Sequence, residues 1–186
     1  DWELDRLTCE RGPVLDRTSA ELGTIALAGT DEPVPSLRQV LALVAGRVPL
    51  LIEIKSRRAM RVAGLCLAVR NALEGYGGPH AVMSFDPRVP RWFATHAPRT
   101  ARGLVMTEDD AHTAAARIRC HFALWHARPD FLAYDVRDLP SSFAGQQRSR
   151  GVPVATWTVR TAQQRAIAAL HADAPIAEGA GTVGPA

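Results

Sequence analysis

Short apolar runs alternate with helix-like segments along most of this chain, and this alternation restricts the possible folds more than any other feature. Helical periodicity is predicted between the runs, for residues 62–73, 87–96, 110–126, 141–150 and 162–171. The runs themselves are predicted to be strands, at residues 48–56, 80–85, 101–106, 131–136, 152–159 and 172–177. Strands separated by helices of this length indicate βαβ units, and therefore an α/β fold with a parallel sheet.

Two α/β architectures compete for such a pattern: an open doubly wound sheet and a (βα)8 TIM-type barrel. The doubly wound sheet predicts a glycine-rich phosphate loop after an early strand, and the sequence has none. Its GYGG run at residues 75–78 follows a predicted helix and is typical of a helix end. We therefore expect a TIM-type barrel, with six of its eight βα units visible in these residues.

The length of the chain bears on the barrel prediction. A complete barrel takes about 250 residues, whereas the sequence has 186. The shortfall corresponds to about one βα unit and one strand. We expect the residues to come from a longer enzyme whose first two strands precede Asp1.

The first 35 residues lack the alternation and are predicted to form an insertion or cap segment, with 36–186 forming the rest of a single barrel domain. Thr18 and Glu21 have the spacing of a capping box. Ser36 is the predicted N-cap of an amphipathic helix at 37–45. A long irregular segment in a compact domain is usually an insertion that covers a functional face.

Two charged residues interrupt the apolar run LLIEIKS at residues 50–56. Lys55 is the only lysine among 22 basic residues, and Glu53 precedes it by two positions. Residues i and i+2 of a strand share a face, so both side chains point away from Ile52 and Ile54. Functional sites of α/β folds lie at this carboxyl end of the strands. The carboxylate could ligate Mg²⁺ or Ca²⁺ and the ammonium could hold an anionic oxygen; alternatively, the two form only an ion pair.

Other polar and aromatic side chains occupy comparable positions near strand ends. Trp157 could line a pocket and offer its N–H, or pack in the core. Asp135 and Ser84 lie near the ends of their strands, and Asp86 before Pro87 is typical of an N-cap. His121 and His126 are five positions apart on one predicted helix, which does not match the i, i+4 ligand spacing, and are interpreted as surface or core histidines.

Charge and cysteine content exclude several classes of partner. The net charge of +3 is spread along the chain without a long basic run, so we expect no nucleic-acid partner. No window of about 18 apolar residues predicts a membrane span. The three cysteines have no metal-binding spacing and fit a reducing, cytoplasmic compartment. The oligomeric state stays open.

Several ordered blocks of the sequence resemble the glycerophosphodiester phosphodiesterase family. The resemblance covers nearly the whole chain, from Asp1 to about Glu178. It rests on the blocks DWELDRLT, LDRTSAEL, PSLRQVLALVAGRVP, LLIEIKS, HAVMSFDP and GVPVATWTV. The resemblance implies a (βα)8 barrel with a small insertion near the second strand. It also implies hydrolysis of glycerophosphodiesters to an alcohol and glycerol 3-phosphate with a divalent cation, Mg²⁺ or Ca²⁺.

Three residues match family positions that carry function. The resemblance implies that Glu53 is a metal ligand, Lys55 a catalytic and phosphate-binding residue, and Trp157 a substrate-binding pocket wall. Asp1 resembles the aspartate of the family's His-Asp motif, but no histidine precedes it here. The family's HRG motif and Glu-x-Asp metal pair are also absent, and ADAPIAEG replaces its usual closing TDxP block.

These departures leave three hypotheses. The first is a metal-dependent phosphodiesterase whose 186 residues alone are expected to be inactive, because one carboxylate does not make a Mg²⁺ or Ca²⁺ site. The second is a catalytically dead barrel that acts as a binding or scaffold module. The third is a related barrel phosphodiesterase that acts on phosphoinositides or sphingolipids.

Overall fold

The computed structural model describes residues 2–57, 59–108 and 114–182 of the chain. These residues form two compact units. The first comprises Asp1–Leu50 and Leu67–Pro79, and the second comprises Leu51–Cys66 and His80–Ala186.

The first unit begins with the segment that the sequence marked as irregular. Isolated antiparallel bridges join Glu3 to Pro13, Thr8 to Leu27 and Ala26 to Pro33, so backbone pairing organises this segment. It also contains the short helix α1 (Ser19–Leu22), and α2 (Leu37–Val44) follows it.

Both predicted helix starts in the first unit are confirmed. The Thr18 hydroxyl accepts a hydrogen bond from the Glu21 amide at 3.2 Å, and the Glu21 side chain accepts one from the Thr18 amide at 2.7 Å. Ser36 and Gln39 form the same reciprocal pair at the start of α2. These capping boxes satisfy amide groups that have no partner inside the helix.

A parallel sheet forms the centre of the second unit. Its strands follow one another in space in chain order. Doubly wound sheets reverse their order at a switch point, whereas barrels do not, so the order is that of consecutive βα units of a barrel. The described residues hold six strands and not the eight of a closed barrel: β1 (Leu50–Glu53), β2 (His80–Ser84), β3 (Ala101–Met106), β4 (Phe131–Asp135), β5 (Val154–Val159) and β6 (Ala174–Ala177).

Helices connect successive strands, as the alternation predicted. The start of the predicted helix 110–126 lies outside the described residues. Within the described residues no helix is both long and apolar enough to span a bilayer. The connecting helices are α3 (Val62–Leu73), α4 (Arg88–His96), α5 (Ala114–Ala127), α6 (Ser142–Ser149) and α7 (Ala162–His171).

Five of the six predicted strands were too long, all except β3. Pro49 and Pro153 have no amide hydrogen for the ladder, and β1 and β5 begin at the next residue. At the other end of β1, Lys55 lies just beyond the strand. The strand β4 ends at Asp135, whose side chain caps a 3-10 turn at Val136–Asp138.

Side chains pack on both faces of the sheet. On one face Leu132, Tyr134 and Val154 are fully buried, and the partly buried Cys120 and Leu124 of α5 pack against them. On the other face Met83, Val105 and Ala133 form a separate cluster with Trp157 and Ile176. Because both faces are buried, the sequences of these strands are nearly continuous apolar runs.

A glycine in β3 allows close packing on the second face. Gly103 pairs with Phe131 of β4 in the parallel register. A Cβ atom at Gly103 would lie 2.4 Å from two carbon atoms of the Phe131 ring. The ring therefore occupies the space that a side chain would fill.

We expect Leu132→Ala to lower the free energy of unfolding by about 2–5 kcal/mol, because it leaves a cavity in the fully buried cluster. Leu170→Ala is the matched control, since Leu170 is 71% exposed and its truncation should cost less than about 0.5 kcal/mol. Urea unfolding followed by circular dichroism measures both. Equal losses in the two variants would contradict the described packing.

Candidate functional site

Glu53 and Lys55 lie at the carboxyl end of β1, on the face of the sheet that carries Met83. The Ile54 amide donates to the Met83 carbonyl at 2.8 Å, which sets Ile54 level with Ser84 in a parallel ladder. Glu53 is then level with Met83. The prediction that both charged side chains share a face is consistent with this register.

The two charged side chains also contact each other. Lys55 Nζ lies 3.3 Å from Glu53 Oε1, and the side chains are 36% and 29% exposed. An ion pair with this exposure contributes about 1 kcal/mol or less to stability. The pairing therefore contributes little to the fold and leaves both groups accessible to a ligand.

Trp157 shares the face of Met83 and pairs with Asp135 in the register of β4 and β5. Its indole N–H donates to the Ala133 carbonyl at 2.9 Å, so this hydrogen is used within the sheet. The ring meets Phe85 edge to face, with centroids 5.4 Å apart. Trp157 can therefore present its ring to a ligand as a wall, but not the N–H that the sequence interpretation offered.

A compact hydrogen-bonded cluster holds the loop that follows β1. The Asp86 carboxylate accepts from the Ser56 hydroxyl at 2.5 Å and from the Arg88 guanidinium at 2.6 Å. The same guanidinium donates to the carbonyls of Met60 at 3.3 Å and Arg57 at 3.2 Å. The cluster therefore fixes the backbone immediately after the Glu53–Lys55 pair.

Asp86 lies one residue before Pro87, the N-cap of α4, so the predicted N-cap position was wrong by one residue. Its Oδ1 accepts from the Arg88 amide at 3.0 Å. Burial raises the pKa of the Asp86 carboxyl, but the hydrogen bonds from Arg88 and Ser56 outweigh burial and hold that pKa below its usual range. The carboxylate is therefore ionised at neutral pH.

Ser84 and Asp135, two further candidates, are both engaged with their surroundings. The buried Ser84 hydroxyl donates to the Ile54 carbonyl at 2.6 Å. The Asp135 side chain is 2% exposed, and it accepts from the Arg137 guanidinium at 2.6 Å and the Arg137 amide at 2.9 Å. Both side chains therefore stabilise the backbone at strand ends.

Sequence reasoning missed a second network at the ends of β3 and β4. The Glu108 carboxylate accepts hydrogen bonds from the Tyr134 and Ser141 hydroxyls. Asp138 accepts from the Thr107 hydroxyl at 3.0 Å and the Glu108 amide at 2.6 Å. The network joins the segments that follow β3 and β4. The one signal in the sequence for this network is the position of Glu108, just past a predicted strand.

Burial and the neighbouring Glu108 carboxylate both raise the pKa of the Tyr134 phenol. The same two causes raise the pKa of the Cys120 thiol. Both groups are therefore neutral at physiological pH, and the Tyr134 hydroxyl acts as a donor to Glu108.

The described residues do not by themselves form a metal centre. Among them, no three His, Cys, Asp or Glu side chains are placed so that they could hold a metal ion. His121 and His126 both lie on α5, where each contacts a phenylalanine ring. Glu53 thus offers one carboxylate, and this does not fit the oxygen-rich coordination of Mg²⁺ or Ca²⁺.

A cavity of about 490 Å³ lies within the first unit. The Tyr76 hydroxyl accepts from the Gly46 amide at 3.1 Å beside it. Most of its wall is glycine backbone, and no carboxylate, imidazole or ammonium lines it: Ala45, Gly46, Gly75, Tyr76, Gly77, Gly78 and Pro79. The cavity lacks the groups that acid–base chemistry needs.

Comparison by sequence finds no matching family model and no matching curated protein. Comparison by structure finds a protein from Agrobacterium tumefaciens, assigned as a glycerophosphoryl diester phosphodiesterase, at TM-score 0.80 and 18% identity, covering 95% of this chain and 73% of that one. An Oleispira antarctica phosphodiesterase in complex with the product sn-glycerol-3-phosphate matches at TM-score 0.77 and 19% identity, with coverages of 95% and 73%.

A third structure, from Silicibacter pomeroyi and with the same assignment as the Agrobacterium protein, matches at TM-score 0.75 and 20% identity, covering 92% of this chain and 68% of that one. At these identities the likeness establishes the fold. The resemblance indicated by the sequence blocks is thus confirmed: the chain has the fold of glycerophosphodiester phosphodiesterases.

We expect Asp86→Asn to destabilise the protein by about 1–3 kcal/mol at neutral pH, because the charge-assisted bonds to Arg88 and Ser56 are lost. The folded-state pKa of Asp86 is depressed, so its stabilisation is present above its unfolded pKa and disappears as pH falls through the folded value. The difference between wild type and variant should therefore shrink in acid.

Urea unfolding from neutral pH into the acid range measures this difference. Asp31→Asn is the control, since Asp31 is exposed, and this substitution should change stability by less than about 0.5 kcal/mol. A gap between wild type and Asp86→Asn that stays constant across the whole range would show that Asp86 does not carry the linkage.

Proposed function

We propose that the chain belongs to an enzyme that hydrolyses glycerophosphodiesters to an alcohol and glycerol 3-phosphate. The observation that carries the proposal is Lys55, the single lysine, at the carboxyl end of β1 in a fold shared with a phosphodiesterase that binds sn-glycerol-3-phosphate. Ligand sites of parallel α/β barrels lie at this end of the strands. The substrate is a small molecule and not a nucleic acid.

The proposed role of Lys55 is to contact a non-bridging oxygen of the phosphodiester. Its ammonium offsets the negative charge that builds on phosphorus oxygens during displacement. Glu53, 3.3 Å away, orients the ammonium in the absence of substrate. The rings of Trp157 and Phe85 would form an apolar wall beside the phosphate.

A divalent cation, Mg²⁺ or Ca²⁺, with Glu53 as one ligand is part of the proposal. Such a cation would need further oxygen ligands besides those of the described residues. The sequence also has no histidine at the family's HRG and His-Asp positions. We therefore expect the 186 residues to turn over no substrate unless residues outside them supply these groups.

Two observations favour a second candidate function, a catalytically dead barrel that acts as a binding or scaffold module. Lys55 already has a partner in Glu53, and the described residues contain no metal cluster. The two functions differ in one respect that the present chain can test. An enzyme-derived site should bind the phosphate of glycerol 3-phosphate through Lys55, and a scaffold need not.

We expect glycerol 3-phosphate to bind at Lys55. Because the chain has one lysine, labelling with ¹⁵N-lysine yields one side-chain ammonium signal that reports on this residue alone. Titration with glycerol 3-phosphate should shift the signal saturably, since the phosphate replaces Glu53 or joins it as a partner. Glycerol is the control ligand and should leave the signal in place. An unmoved signal at saturating phosphate would favour the scaffold.

In an enzyme that carries this chain with the missing histidines and carboxylates, we expect Lys55→Met to lower kcat/KM about 10²–10³-fold. Release of glycerol 3-phosphate from glycerophosphocholine, with Mg²⁺ or Ca²⁺ and with a chelator, measures it. Stability should change by less than about 1 kcal/mol, because the ion pair is partly exposed.

Arg148→Met is the matched control. It removes an ion pair to Asp173 with similar exposure, 37% and 39%, at a distance of 2.8 Å. This control should keep full activity. If Lys55→Met unfolds the protein while the folded fraction keeps normal specific activity, Lys55 is only an ion-pair partner.

A further inference from the structure

Helix α5 is apolar on two opposite faces. Its inner face packs on the buried side of the sheet through Cys120, Ala123, Leu124 and Ala127. This contact accounts for one apolar stripe, as expected of a helix that covers a sheet. It does not account for the second stripe, on the opposite side.

The second stripe consists of Ile118, Phe122 and Trp125, here termed the α5 patch. These side chains are 68%, 61% and 68% exposed. Their spacing of four and then three residues aligns them along one line of the helix, and the rings of Phe122 and Trp125 lie 5.7 Å apart. Single exposed apolar residues are common, but three large aligned ones form a contiguous surface that usually binds something.

Basic residues border the α5 patch. At 100° per residue, Arg119 and His126 lie on one flank of the patch, and His121 lies on the other. Arg128 follows the helix end and is exposed. The sequence of α5, AAARIRCHFALWHA, contains no acidic residue. The patch therefore combines an apolar centre with a margin that carries the positive charges of Arg119 and Arg128.

A second copy of the chain fits this surface poorly. Even at about 250 Å² per large side chain, the exposed parts of the patch supply at most about 500 Å². A stable interface needs about 800 Å² from each partner. Two copies packed through α5 would also bring their Arg119 side chains towards each other. Both area and charge disfavour self-association through this helix.

We propose that the α5 patch binds the protein to an anionic lipid surface. A helix with an aromatic and aliphatic stripe and basic flanks lies in the membrane interface, with its apolar side chains among the upper acyl chains. Trp125 suits this depth because its ring is apolar and its N–H can reach polar headgroups. Arg119 and Arg128 then contact lipid phosphates. This inference does not depend on the proposed catalytic function.

The test is sedimentation of the 186-residue protein with vesicles of phosphatidylcholine, alone or mixed with phosphatidylglycerol. The protein should bind the mixed vesicles, and Phe122→Ser/Trp125→Ser should weaken this binding at least about tenfold, because two interfacial aromatic rings are lost. Arg119→Glu should also weaken binding to the mixed vesicles, since a repulsive charge replaces an attractive one. The difference in affinity between this variant and wild type should grow as the salt concentration is lowered.

Leu170→Ser is the matched control. Leu170 is an equally exposed residue of another helix, α7, at 71% exposure, and its substitution should leave vesicle binding unchanged. A second measurement requires no destabilising substitution. Brominated lipids should quench part of the tryptophan fluorescence in the bound protein, and Trp125→Phe should remove that quenching while binding persists.

Three results would overturn the proposal. The first is wild-type protein that does not sediment with the mixed vesicles. The second is equal binding by the double variant that circular dichroism shows to be folded. The third is a dimer, seen by sedimentation velocity without lipid, that the double variant abolishes, because a second copy would then cover the patch.

Discussion

The parallel ladder between consecutive strands is the constraint on which the rest of this structure depends. Each strand pairs with the strand before it in the chain, so every connection must return along the outside of the sheet as a helix. All strands therefore end at the same edge. That edge holds Glu53 at the end of β1 and Lys55 just beyond it. It also holds Asp86 after β2 and Glu108 after β3, although these residues are far apart in sequence.

Hydrogen bonds in which at least one partner is a charged group fix the segments that leave this edge. Arg88 and Asp86 hold the loop after β1, and Glu108 holds the segments after β3 and β4 through the hydroxyls of Tyr134 and Ser141. Such bonds are stronger than neutral ones because one partner is ionised. The Arg88–Asp86 cluster thereby holds the backbone that follows Lys55, whose ammonium is 3.3 Å from the accessible carboxylate of Glu53.

Different observations support the fold and the proposed chemistry. Likeness to phosphodiesterase structures at 18–20% identity places the chain in their fold. The catalytic proposal rests on Lys55. This residue lies at the carboxyl end of β1, and its ion pair with Glu53 is partly exposed, so its ammonium is accessible to a phosphate. The α5 patch lies on a helix whose inner face covers the sheet, so its exposed apolar side chains are not required by the fold itself.

The sequence alone determined the order of strands and helices, because apolar periodicity and capping residues act locally, as at Ser36 and Thr18. It also placed Glu53 and Lys55 on one face, since strand period is a local property. Tertiary structure decided what each side chain touches. The indole N–H of Trp157 is used by Ala133, and Glu108 joins Tyr134 and Ser141, because these partners meet only when separate strands align. No periodicity within one strand carries that information.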